Sequence, residues 1–193
     1  MNDIPPPHPA LLPAGLRDVL PPEAERQAKS VETIMDCFAA YGYQRVNPPL
    51  LEFEDSLFAG LGAATAEQTF RLMDPASQRM MGLRADTTPQ IGRLATTRLA
   101  AAPRPLRLAY AGPCLRVRGS QIQPERQIAQ AGIELIGPDT PEADAEIILT
   151  AAASLAAIGL KNISFDLTVP QLVLHLLEAT VIEDRPGLIR ALD

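Results

Sequence analysis

The sequence predicts an α+β domain in which helices flank an antiparallel sheet. Three observations carry this. Apolar residues at Val31, Ile34, Met35 and Phe38 recur at helical spacing across residues 23–41. Two strand-like runs, 105–118 and 126–136, follow one another with only a Gly-, Ser- and Pro-containing loop between them. A further long helical pattern opens at Pro141-Glu142 and runs to Gly159, with Ile147, Ile148, Ala151 and Leu155 on one face.

The remaining elements fit the same class. Pro21-Pro22-Glu23 opens the first helix and Gly42 stops it. A short strand over 43–47 ends at Pro48-Pro49, and a short helical piece spans 56–61. Residues 69–84 read as a hairpin turning over Asp74-Pro75-Ala76-Ser77. Thr87 or Thr88 caps a helix with Pro89 in its first turn; Ile91, Leu94 and Leu99 line its buried side, and it ends before Pro103. After Gly159 come a strand over 163–169, a helix over 170–179 and the start of another at 187–193.

Composition narrows the function. With 193 residues and 47% hydrophobic content the chain suits one globular domain, 13–193, preceded by a Pro-rich extended arm, 1–12. Aromatics are 4% and Trp is absent, so Leu, Ile, Ala and Val must fill the core. A net charge of −6 and a pI of about 5.0 argue against a nucleic-acid or membrane-surface binder, which needs a positive face. Cys37 and Cys114 form no CxxC or Cys/His cluster; they read as buried free thiols, and no metal site is expected. The arm lacks the apolar core of a signal peptide, and the most apolar run, 147–160, is broken by Thr150, Ser154 and Gly159. A soluble, cytoplasmic protein is expected.

Period-two alternation over 126–135 puts Arg126, Ile128, Gln130, Gly132 and Glu134 on one face, and Gln127, Ala129, Ala131, Ile133 and Leu135 on a core face. Arg116 and Arg118 share a face of the preceding strand. The sheet therefore shows Arg116, Arg118, Arg126, Gln130 and Glu134 together. On pattern alone, a solvated sheet face is the first explanation, ahead of a ligand site. Arg in place of Lys suits planar recognition of carboxylate or phosphate, and a mid-strand glycine marks a close approach. With a turn symmetric about Ile122, Arg118 stands opposite Arg126, and an anion between them relieves the repulsion.

Four ordered stretches resemble histidyl-tRNA synthetases, a class II family. Gly112-Pro113-Cys114-Leu115-Arg116 and Arg126–Glu134, ending in Gln-x-Gly-x-Glu, resemble motif 2. Tyr41-Gly42-Tyr43 through Pro49 and Glu52 resembles motif 1. Residues 13–21 resemble the family's N-terminal signature, and Leu83-Arg84-Ala85-Asp86-Thr87-Thr88 resembles its histidine-binding segment. The resemblance spans roughly residues 13–169. It implies a class II synthetase-like core, incomplete at its C-terminal end, and dimerisation through motif 1, with Met35, Phe38 or the 41–49 stretch buried by a second chain.

Two departures separate the chain from a synthetase. Motif 2 of the family reads Arg-x-Glu, and Arg118 stands where that acid belongs; the histidine segment reads Arg-Ala-Asp-Thr-Thr instead of Arg-Pro-Glu-Gly-Thr. In addition, no motif 3 arginine or anticodon-binding domain is present in the sequence. The departures resemble the regulatory subunits of short-form ATP phosphoribosyltransferases. That resemblance implies a non-catalytic subunit that activates a short catalytic subunit in histidine biosynthesis and mediates feedback by histidine. The competing readings are a catalytic-core fragment of a histidyl-tRNA synthetase and a stand-alone paralogue binding another amino acid. The resemblance also implies histidine-binding roles for Asp86, Thr88, Arg116, Gln130 and Glu134. In that arrangement Asp86 and Thr88 accept from the ammonium, Arg116 holds the carboxylate, and Glu134, with Gln130 beside it, accepts from the imidazole. Asp86 also reads simply as an acid at a helix N-terminus, and Tyr110 as either a pocket wall or core. Arg118 and Arg126 are candidate anion-binding residues. His8 and His175 match no motif. No catalytic residue, cofactor or metal is assigned.

Overall fold

A computed structural model describes residues 12–59 and 66–167. The chain divides into two compact units, 1–160 and 161–193, where the sequence suggests one domain from 13 to 193. Residues 161–167 of the second unit form no regular structure, so the strand expected from 163 is absent over that described part; the helices expected beyond it and the arm up to residue 11 lie outside the described residues.

The first unit runs α1 (Glu23–Ala40), β1 (Gln44–Arg45), β2 (Leu51–Phe53), α2 (Glu54–Leu57), β3 (Arg71–Met73), β4 (Met80–Leu83), α3 (Thr88–Thr96), β5 (Leu106–Leu115), β6 (Gln127–Ile136) and α4 (Pro141–Ala157). The α+β class is as expected, with a finer topology. Strands form two three-stranded sheets, β1-β5-β6 and β2-β4-β3. β1 runs parallel to β5; the other pairings are antiparallel. The two sheets are stitched where the Leu115 amide donates to the Arg84 carbonyl at 3.0 Å.

Helices cover both faces of the β1-β5-β6 sheet, which is why β5 reads as a nearly continuous apolar run. On one face Met35, Phe38, Tyr43 and Ala109 form a buried cluster with Ile133 and Ile147 against it. Met35 and Phe38 are thus buried within the chain and need no second copy. On the other face Ile91, Ala95, Leu106, Leu108 and Tyr110 pack with Leu94, Leu99 and Ile136. The expected core face of β6 holds at Ala131 and Ile133 but not at its start, where Gln127 and Ala129 are exposed.

Local chemistry explains the element ends. The Thr140 hydroxyl accepts the Ala143 amide at 3.4 Å and caps α4, and Pro141 sits in the first turn. α4 is rotated from its expected face. Thr150 and Ser154, the small polar residues, are its buried line toward α1, while Leu149 is exposed. The hairpin turn after β3 is held by the Asp74 carboxylate, which accepts from the Ala76 and Ser77 amides and the Ser77 hydroxyl. Of the two cysteines, Cys114 is buried as expected and Cys37 is only half-buried. Among the described residues no helix is long and apolar enough to cross a membrane, and no group of acids, His or Cys is placed to hold a metal.

Candidate functional site

The ladder register decides which side chains meet. Leu115 pairs with Gln127 and the Arg116 amide donates to the Arg126 carbonyl at 2.7 Å, so Arg126 stands opposite Arg116. The expected Arg118–Arg126 juxtaposition is therefore replaced. Beyond Leu115 the chain turns to the segment before β3: the Val117 amide donates to the Gln68 carbonyl at 2.9 Å and the Arg118 amide to Gln68 Oε1 at 3.3 Å. Arg126 is held by other work. Its guanidinium donates to the Ala14 carbonyl at 3.2 Å and stacks 4.8 Å over the Phe70 ring, and its amide donates to the Gly15 carbonyl. Gly15, at φ +78°, is needed there, because a side chain would meet the Arg126 stem.

The other predicted residues do converge, at the turn that leads into α3. Asp86 Oδ1 accepts from the Thr88 amide at 3.1 Å and from Gln130 Nε2 at 2.8 Å. It thereby does the capping expected of Thr87 or Thr88. The Thr87 hydroxyl lies instead 3.5 Å from Cys114 Sγ. Gln130 Oε1 accepts from the Thr87 amide at 3.0 Å and from the Cys114 thiol at 3.0 Å. Gln130 thus anchors the Asp86–Thr88 turn to β6. Burial pushes the Cys114 thiol up, away from thiolate.

A second branch joins Thr88 to β5 and β6. The Thr88 and Tyr110 hydroxyls are 3.1 Å apart, and Tyr110 donates to Glu134 Oε1 at 3.4 Å. Burial pushes the Glu134 carboxyl up, the two hydroxyls pull it partly back, and Asp86 nearby adds to the rise. Burial likewise pushes Tyr110 up to about 12, so it stays a neutral donor. The mid-strand Gly132 serves this tyrosine, whose ring fills the space where its side chain would be.

Asp86 separates two cavities. One, of about 330 Å³, is lined by Asp86, Ala85, Arg116, Arg118, Gln68, Gly119 and Ser120. The other, of about 710 Å³, runs along α3 past Thr88, Pro89, Gly92 and Arg93 to Ser56 and Ala59. Asp86, Thr88 and Arg116 face this space, whereas Gln130 and Glu134 line neither cavity and stand behind. Among the described residues the Arg116 and Arg118 guanidiniums have no hydrogen-bond or ion-pair partner. The arrangement offers a free carboxylate oxygen at Asp86 to a cation and two open guanidiniums to an anion, a set that suits a zwitterion.

Sequence reasoning gave no role to Arg84 and Gln90. Both are buried, and they tie the Pro48-Pro49 break to this turn. An arginine directly after the apolar strand Met80–Leu83 was the available signal. Tyr110 is at once core and pocket support, so both readings of it apply.

The profile of the family described as histidyl-tRNA synthetase matches residues 15–193. An ATP phosphoribosyltransferase regulatory subunit of Paramagnetospirillum magneticum is 60% identical over 85% of this chain and 43% of its own length. One from Gluconobacter oxydans is 55% identical over 97% and 50%. The chain spans about half the length of the curated relatives it matches. A Bacillus halodurans structure described as an ATP phosphoribosyltransferase regulatory subunit/histidyl-tRNA synthetase superposes with a TM-score of 0.71 at 31% identity, covering 81% of this chain and 40% of that one. The apo Staphylococcus aureus histidyl-tRNA synthetase gives 0.65 at 26%, covering 78% and 35%. With the profile matched from Gly15 onward and the fold shared with solved members, this chain belongs to the histidyl-tRNA synthetase family.

Proposed function

We propose that this chain is the synthetase-like core of a non-catalytic regulatory subunit of ATP phosphoribosyltransferase, which activates a short catalytic subunit and carries histidine feedback. The observation that carries the reading is Arg118. It lies beside Arg116 on one cavity, where a synthetase has an acid. Two open cations suit that cavity to an anionic group, while the acid with which a synthetase positions ATP is missing there. The regulatory-subunit identity of the relatives at 55–60% identity supports the same reading.

In this reading histidine places its ammonium on Asp86 and Thr88 and its carboxylate on Arg116, with Gln130 and Glu134 supporting from β6. Arg118 adds anion affinity beside them, while Arg126 acts through the N-terminal segment it holds. Self-association uses the α1 face. Ala24, Ala28 and Val31 line an open groove of about 390 Å³ with Ala111 and Ala129 of the sheet, which suits a second copy. The site needs no cofactor, and the subunit acts in the cytoplasm.

The test uses the full-length protein. It should raise the activity of a short catalytic subunit and confer inhibition by histidine, while showing no histidine-dependent ATP–pyrophosphate exchange. Robust exchange with Arg118 in place restores the synthetase reading. A catalytic subunit fully active and fully histidine-inhibited alone removes the regulatory one.

A further inference from the structure

We propose that Arg84 is a positioning residue that makes the 48–50 segment and the Asp86–Thr88 turn move as one unit, so that occupancy of the site and the packing of that segment depend on each other. The inference rests on the amino-acid-site reading only for the ligand used to probe it.

Arg84 is 4% exposed, yet among the described residues it has no carboxylate partner. Its charge is met by oriented oxygens from three separate segments. Nε donates to the Pro113 carbonyl at 2.8 Å, and Nη1 donates to the Pro48 carbonyl at 3.1 Å and to Gln90 Oε1 at 3.4 Å. Gln90, 1% exposed, donates Nε2 to the Pro49 carbonyl at 2.8 Å. The main chain of Arg84 repeats the pattern: its amide donates to the Leu50 carbonyl at 3.1 Å and its carbonyl accepts the Leu115 amide at 3.0 Å. Gly112 leaves the room, since a Cβ there would collide with Arg84 Nη2.

A buried cation that loses an acceptor costs more than a neutral group would, because nothing else nearby compensates it. The Pro48, Pro49 and Pro113 carbonyls and the Gln90 amide are therefore held to one another. Asp86 lies two residues beyond Arg84, and Gln90 lies in the first turn of α3. A displacement of 48–50 must pass through Arg84 or Gln90 into the turn whose Thr87 and Thr88 amides hold Gln130 and Asp86. Coupling of this kind is reciprocal: whatever orders the turn orders 48–50 equally.

The experiment is amide-resolved hydrogen exchange on the full-length chain, with Gln90→Leu and Arg84→Lys. Gln90→Leu keeps the helix and the buried volume, so it carries the test if the arginine variant does not fold. Without ligand, exchange at Thr87 and Thr88 and across 50–53 should speed up together, by a common factor of about ten, the scale of one lost buried hydrogen bond. Tyr110 and Ile133 amides should not change. Acceleration of only one segment overturns the coupling. Equal acceleration at Tyr110 and Ile133 also overturns it, because Gln90 would then be a general stabiliser. Saturating histidine should slow both segments in the parent. In Gln90→Leu, where Arg84 still holds the Pro48 and Leu50 carbonyls, it should slow 50–53 less than in the parent. Histidine that slows Thr87 and Thr88 but not 50–53 in the parent overturns the inference. A parent that ignores histidine counts against the amino-acid site, while the ligand-free comparison still decides the coupling.

Discussion

Tyr110 lies directly opposite Gly132 across the β5–β6 ladder, and a Cβ at 132 would come within 2.5 Å of its hydroxyl. The glycine lets the ring lie flat against β6, and this carries the hydroxyl to both Thr88 and Glu134. Gly132→Ala should therefore displace the ring and break both bonds. A loss of about 1–3 kcal/mol is expected, the usual cost of overpacking. The denaturation midpoint measures it, and Tyr110→Phe, which removes only the hydroxyl, should cost less.

Glu134 sets stability against binding. Its folded carboxyl is raised above the ordinary value of 4.5, chiefly by burial. Its contribution is thus fully present below that value and is lost as pH rises through the raised one. Glu134→Gln lacks that loss, so at neutral pH the variant should melt at or above the parent, with the gap closing in acid. Histidine affinity should fall by less than the roughly one to two decades that a charged hydrogen bond to the ligand itself is worth, because Glu134 stands behind the cavities and acts through Tyr110 and Thr88. Thermal melts across pH, paired with calorimetry, check both halves.

Arg118 should control anion binding without conferring catalysis. Pyrophosphate should bind the full-length chain weakly, less so with rising salt, and Arg118→Ala should weaken it further. Arg126→Ala should instead lower stability, because its guanidinium holds Ala14 and Phe70. Titration calorimetry separates the two residues: equal anion affinity in Arg118→Ala and parent would exclude Arg118 from the site.

Glu146 ties α4 to the sheet. It accepts from Arg107 Nε and Nη2, both at 2.7 Å, and from the Tyr43 hydroxyl at 3.0 Å. The Arg107 bonds hold its carboxyl below the ordinary 4.5, so its stabilisation is present above that value and is lost as pH falls through the lowered one. Glu146→Gln should cost about 0.5–1.5 kcal/mol near neutrality and less in acid. Equal cost at both pH values would remove the charge from the explanation.

The chain's period-two and helical patterns were enough to place β5, β6, α1 and α4 within a few residues of their true bounds, whereas α3 starts where expected but stops at Thr96, short of Leu99 and of the end expected just before Pro103. Burial of one face leaves a direct trace in the order of apolar residues. Asp86, Thr88, Gln130 and Glu134 were legible through the ordered motifs, and the structure brings them together. What the patterns could not carry was register. A turn centred one residue away sets Arg126 against Arg116 instead of Arg118, and hairpin loops alone do not specify that choice. Nor does periodicity distinguish a solvated polar face from one covered by α3, because polar groups satisfied by one another look the same in sequence as those satisfied by water. The amino-acid order by itself thus determined the types of the long elements, the family and most members of the cluster around Asp86. Only the tertiary structure decided that Gly132 yields to Tyr110, that Gln130 anchors Asp86, and that Arg84 spends its charge on three carbonyl-bearing segments. Those roles depend on contacts between residues far apart in the chain, where packing and unmet hydrogen bonds, not local propensity, select the partner.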